Sequence, residues 1–175
     1  MKKAIAFLFF LILLASPCQA ANPLTVKRCI DGNTLQLSTG EKVRLIGVDT
    51  PEAGYTDKLR RDAKRTGQNA QKIIKMGKEA AEFTRKLVHG KQVGLEYDVQ
   101  KKDKNGRTLA YVYFYSDPRL GYIDGDKSDQ TVFLNASIIK AGYAQAVIVP
   151  PNVKHQDLFV KLEKEAREAK RGLWQ

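Results

Sequence analysis

The sequence predicts an α+β domain: a small five-stranded Greek-key barrel of the OB type with about three helices packed on it. Three observations point there. Short runs rich in Val, Ile, Leu and Thr recur between turn signals. One helical apolar periodicity interrupts them near the middle of the chain, and two shorter helical stretches follow the last run. The resulting order is β-β-β-α-β-β-α-α.

Residues 1–20 are expected to stand outside this fold. Lys2 and Lys3 precede an almost purely apolar run from Ala4 to Ala15, and Cys18-Gln19-Ala20 ends on a small residue. That is the pattern of a secretory signal peptide cleaved after Ala20. The apolar run falls short of the ~20 residues that a spanning helix needs. A secreted or periplasmic protein without stable membrane insertion is therefore expected. Cleavage would leave Cys29 as the sole cysteine, so no internal disulfide is available and packing alone must hold the domain. Cys29 itself reads as a small buried hydrophobe in a strand. Residues 21–175 form one domain, with no internal repeat or linker, and a monomer is expected.

Leu24 to Ile30, Thr34 to Ser38 and Lys42 to Val48 read as the first three strands, with Ser38-Thr39-Gly40-Glu41 as the hairpin turn. From Pro51 to about Gln68 the chain is polar and basic, too irregular to assign. Between Asn69 and Val88, Ile73, Ile74, Ala80, Ala81, Phe83 and Leu87 share a helical face, with Gly77 as a weak point and Gly90 as the stop. Val93 to Tyr97 and Leu109 to Tyr115 are the remaining strands, joined through a turn containing Asn105-Gly106. Tyr111, Tyr113 and Tyr115 alternate there and read as one barrel face. Ser116 to Gln130 reads as an exposed acidic loop, while Leu134 to Ala141 and Gln156 to Lys170 are the closing helices. Trp174 reads as a core anchor for the chain end.

The charge balance narrows the partners. The chain carries 30 Lys+Arg against 19 Asp+Glu, a net of +11. A small exported basic protein suits a polyanion, either nucleic acid or an anionic cell surface. His89 and His155 have no ligand partners at metal spacing, so zinc is not indicated. No Gly-rich phosphate loop or serine-elbow motif is present.

The acids fall at strand ends. Asp31 and Asn33 are two apart and so share one face as the first strand gives way to the second. Asp49, Thr50 and Glu52 follow the third strand. Oxygen donors gathered from neighbouring strand ends are what a hard divalent cation such as Ca²⁺ takes. Arg44 lies between these acids and Arg107 just past the Asn-Gly turn; two guanidinium forks beside an acidic pocket suit a phosphate held between metal and arginines. Lys58, Arg60, Arg61, Lys64 and Arg65, with Lys104 in the turn, are candidates for contacts to a nucleic-acid backbone.

These segments resemble the staphylococcal nuclease family from about Val26 to Trp174. "IDGNT" resembles that family's D-G-D-T motif, "VRLIGVDTPE" its arginine and D-T-P-E motif, and "DKNGRTLAYVY" its G-R-x-L-A-Y segment. "LNASIIKAGYAQ" and "RGLW" resemble later family segments. The resemblance implies an OB-fold, Ca²⁺-dependent nuclease cutting DNA and RNA. On it, Asp49 and the Thr50 carbonyl would ligate calcium, Glu52 would position or deprotonate the attacking water, and Arg44 and Arg107 would bind the phosphate. Asn33 stands where the family has a metal-ligating Asp, so it would offer a carbonyl oxygen in place of a charge, with Asp31 as a partial substitute. Ile148, Pro150 and Asn105 stand near positions where tyrosines of a base-stacking platform are expected.

Two rivals come from other classes: a non-catalytic nucleic-acid-binding OB module with a weakened metal site, and a basic cell-surface binding protein. Arg44, Glu52 and Arg107 together favour the enzyme, because a pure binder has no use for a water-positioning glutamate.

Overall fold

The structure is a computed structural model that describes residues 23–115 and 131–175. The signal peptide expected at residues 1–20 and the loop expected at 116–130 lie outside the described residues. The first half runs β1 (Val26–Asp31), β2 (Thr34–Leu37), β3 (Lys42–Leu45), β4 (Val48–Asp49), α1 (Asp57–Thr66) and α2 (Ala70–Val88). The second half runs β5 (Val93–Glu96), β6 (Thr108–Tyr115), β7 (Thr131–Phe133), α3 (Leu134–Lys140), β8 (Gln145–Ala146), α4 (Gln156–Glu168) and a 3₁₀ turn, Gly172–Trp174.

β1, β2 and β3 form an antiparallel meander in which Thr34 faces Arg44 and Leu35 faces Val43. β3 then pairs in parallel with β6, placing Arg44 beside Leu109, and β6 pairs antiparallel with β5 and β7. The sheet closes on itself. Thr25 bridges Gln92, the Val26 N–H donates to the Lys91 carbonyl at 3.0 Å, and the Val93 N–H donates to that of Leu24 at 2.8 Å. Closure removes the edges that an open sheet would expose. Alternation along the strands sends Val26, Leu35, Leu37, Val43, Leu45, Ala110, Val112 and Phe114 into one core, completed by Leu134, Ile138 and Ile139 of α3 and Phe159 and Leu162 of α4. This is the α+β OB-type architecture expected.

The details depart from expectation where the pattern is weakest. The third strand stops at Leu45 rather than Val48, because the chain turns at Ile46–Gly47 and resumes as β4, which pairs with β8. β4, β7 and β8 are two or three residues long, too short to leave a period in the sequence. The unassigned stretch after Pro51 contains α1, so the described residues hold four α-helices. α1 fully buries only Leu59, against Ile73 and Ile74 of α2, with Ala63 partly buried beside them, and its remaining positions are polar or charged. Its ends are well marked: Thr56 caps the start by accepting from the Leu59 N–H, and Gly67 ends it with φ +68°. Trp174 is half-buried and sits under the Arg167 guanidinium, 3.6 Å from its ring centroid, outside the main core. Tyr111, Tyr113 and Tyr115 grade from buried to exposed, and the first two donate their hydroxyls to Asp98 and Glu96. Cys29 packs against the core, where burial pushes its thiol up to about 11.

One polar side chain bridges the barrel where β3 breaks. Asn135, fully buried on α3, accepts from the Val112 N–H at 3.0 Å and donates to the Ile46 carbonyl at 2.8 Å. Truncating it would strand a donor and an acceptor in the core. Asn135→Ala should therefore lower stability by about 2–4 kcal/mol, read from the urea midpoint; a loss within experimental error would mean that water satisfies both groups.

Candidate active site

Two close approaches bring the acidic segments together. At Gly32 a Cβ would lie 2.7 Å from Thr50 Cγ2, so only glycine lets the β1–β2 turn rest on the segment after β4. The Gly32 carbonyl in turn accepts from the buried Thr84 hydroxyl of α2 at 2.8 Å. At Gly77 a Cβ would meet the Glu52 carbonyl at 2.4 Å, so α2 packs directly on the backbone that carries Glu52. The glycine expected to weaken the helix is the one that seats the site.

Arg44 ties the floor. Its guanidinium donates to Asn33 Oδ1, to the Val48 carbonyl at 3.3 Å and to Asp49 Oδ1 at 3.3 Å. Asn33 is 1% exposed, and its Nδ2 donates to the same Val48 carbonyl at 2.9 Å. Both ends of that amide are therefore used inside the protein, and Asn33 lies behind Arg44 rather than on the cleft wall. Asp31 accepts from the Asn33 N–H at 2.9 Å and does reach the wall.

Lys58 is central to the acidic cluster. Its Nζ lies 3.1 Å from the Thr50 carbonyl oxygen, 3.3 Å from Asp49 Oδ1, 3.4 Å from Glu52 Oε1 and 3.4 Å from Asp62 Oδ2. Burial alone would pull this ammonium down; Asp49, Glu52 and Asp62 outweigh it and hold Lys58 above the ordinary lysine range. Lys58 therefore stays charged at neutral pH. Glu52 is oriented from its other oxygen, which accepts from the Thr56 hydroxyl at 3.0 Å. The cap of α1 thus also positions the glutamate.

Arg107 is aimed by a residue that sequence reasoning missed. Asp103 Oδ1 accepts from the backbone N–H groups of Asn105 at 2.9 Å and Arg107 at 3.0 Å, and Oδ2 accepts from Arg107 Nε at 2.7 Å. An Asp two residues before the Asn-Gly pair has Asx-turn spacing, a signal that was there to be used. Burial raises the Asp103 carboxyl, but these bonds prevail and hold it below the usual carboxylate range.

An open cleft of ≈ 680 Å³ is lined by Asp31, Arg44, Asp49, Glu52, Lys58, Lys104 and Arg107, and also by Val147, Val149 and Asn152. The 147–152 segment brings two aliphatic side chains and an amide to it, and Ile148 and Pro150 between them are exposed. Of the expected nucleic-acid contacts, only Lys58 and Lys104 line the cleft. Arg60, Arg61, Lys64 and Arg65 are exposed on α1, where Arg60 pairs with Asp57 and Arg65 with Asp62. Among the described residues no group of three or more His, Cys, Asp or Glu is gathered as metal ligands. The donors that converge on Lys58 are nonetheless all oxygen and include a backbone carbonyl, and they already surround a positive charge. That set fits a hard divalent cation completed by water.

A family model described as "Staphylococcal nuclease homologue" matches residues 42–175. The chain is 37% identical over 153 residues to thermonuclease of Staphylococcus intermedius, covering 86% of this chain and 74% of that protein. It is 33% identical over 159 residues to thermonuclease of Staphylococcus hyicus, covering 88% and 78%. A prophage-derived endonuclease of Bacillus subtilis is 30% identical over 155 residues, covering 86% of this chain and 43% of that protein.

The Asp103 contacts set a pH dependence. Its folded carboxyl titrates below the unfolded one, near 3.9, so the stabilisation is full above about pH 5 and fades as pH falls through the lower folded value. Asp103→Asn should lower the melting temperature at pH 7 and make its decline between about pH 5 and pH 2 shallower. An unchanged acid slope in thermal scans would show that the contact carries no net stability.

Proposed function

Because this chain belongs to the staphylococcal nuclease family, we propose that it is an exported, calcium-dependent endonuclease hydrolysing phosphodiester bonds of DNA and RNA. The observation that carries the reading is the shared cleft of Arg44, Arg107, Glu52 and Asp49. Export rests on the residue pattern of Lys2 to Ala20. No helix among the described residues is long and apolar enough to cross a membrane.

Asp49 and the Thr50 carbonyl would hold the calcium, with Asp31 at the rim. Bound there, the ion would supply Lewis-acid polarisation of a phosphate oxygen. The chain's own groups do the rest. Arg44 and Arg107 present planar forks that bind phosphate oxygens and stabilise the charge that grows on them as water adds to phosphorus. Glu52, with one oxygen fixed by Thr56, takes the proton from that water, the phosphorus–oxygen ester bond opposite breaks, and the departing oxygen takes up a proton from solvent. Asn33 acts through Arg44, by holding its guanidinium in place. Lys104, with Arg60, Arg61, Lys64 and Arg65 on α1, adds sequence-independent attraction for the backbone.

The buried Asn33 amide, in place of a further carboxylate, is the observation favouring a binding module without catalysis. Cleavage of denatured DNA with Ca²⁺ and with a chelator separates the two, since a binder cuts in neither. Glu52→Ala should slow cleavage by about 10²–10⁴ and Arg107→Ala by about 10²–10³. Both should retain DNA binding at low salt, measured by fluorescence anisotropy. A Glu52→Ala protein that cleaves like its parent would remove Glu52 from the proton transfer.

A further inference from the structure

The ammonium of Lys58 and a divalent cation want the same oxygens. Lys58 Nζ touches the Thr50 carbonyl, Asp49 Oδ1 and Glu52 Oε1 at 3.1–3.4 Å, the groups that the function proposed above gives to calcium and to the attacking water. A fourth contact, to Asp62 Oδ2 at 3.4 Å, lies outside that set and one helical turn along α1. Two cations within a few ångströms repel strongly in a partly desolvated pocket, so occupancy by one disfavours the other.

We propose, on the calcium reading above, that Lys58 is the pocket's tethered counter-ion, which a divalent cation must displace in order to bind. Several features fit such a device and not an ordinary surface ion pair. Lys58 stands in the first turn of α1, two residues after the Thr56 cap, so its backbone is fixed while its four-carbon stem is free to turn. Asp62 sits at i+4 and offers the displaced ammonium a partner without any movement of the helix. Arg44 cannot play the same part, because Asn33 and the Val48 carbonyl also hold it. With Lys58 in place, one positive charge offsets part of the repulsion among Asp49, Glu52 and Asp62 when no metal is bound. The same contact raises the calcium concentration that the pocket needs.

Calcium binding by isothermal titration calorimetry tests this directly, on the parent and on two variants. Lys58→Met keeps the stem and removes the charge; Lys58→Arg keeps the charge. The Met variant should bind calcium about tenfold more tightly, and calcium should raise its melting temperature by more than it raises the parent's. The Arg variant should stay near the parent. Should Lys58→Met fold poorly without metal, Lys58→Gln carries the same expectation. A parent that binds calcium while the uncharged variants bind it equally or more weakly would overturn the displacement and leave the calcium reading standing. Failure of parent and variants alike to bind calcium would overturn both.

Discussion

Carboxylates gathered in one place repel, and most of the local structure around this cleft follows from managing that repulsion. Asp49, Glu52 and Asp62 share one lysine ammonium, and Asp49 also shares the Arg44 guanidinium. Neither cation could stand there without support. Arg44 is steadied by Asn33 and by the Val48 carbonyl, while Lys58 stands on a helix whose cap also grips Glu52. The barrel supplies the rigidity, and the acidic corner uses it to hold like charges close together.

The parallel pairing of β3 with β6 has a second role beyond closing the sheet. It sets Arg44 beside Leu109, two residues from Arg107, so two arginines far apart in the chain flank one cleft. The hairpin geometry at Asp103 then turns Arg107 toward it. Fold and chemistry meet in the strand register, where a slip of one residue would send Arg44 to the opposite face.

How much of this was legible depended on what each residue reports about its surroundings. The alternation of Val26, Leu35, Leu37, Val43 and Leu45 made the strands readable, because one face is buried throughout. α1 was opaque for the opposite reason: with Leu59 alone buried, it has no apolar stripe, and only Thr56 and Gly67 mark its ends. Arg44, Asp49, Glu52 and Arg107 could be named as a set from their motifs, and the structure does bring them to one cleft. The inward turn of Lys58 could not be read, since a lysine amid arginines looks like a solvated face. Nor could the burial of Asn33, whose amide finds its partners only when β3 and the β1–β2 turn meet.

The contact at Gly77 ties two properties that are usually discussed apart. α2 rests on the Glu52 carbonyl with no room for even a methyl group between them, so the helix and the segment that carries Glu52 cannot loosen independently. Heat that frays α2 would carry the glutamate out of register with the arginines while the barrel is still closed. Inactivation on warming would then precede the collapse of the β-sheet, and the working temperature limit would belong to one helix–loop seam rather than to the core.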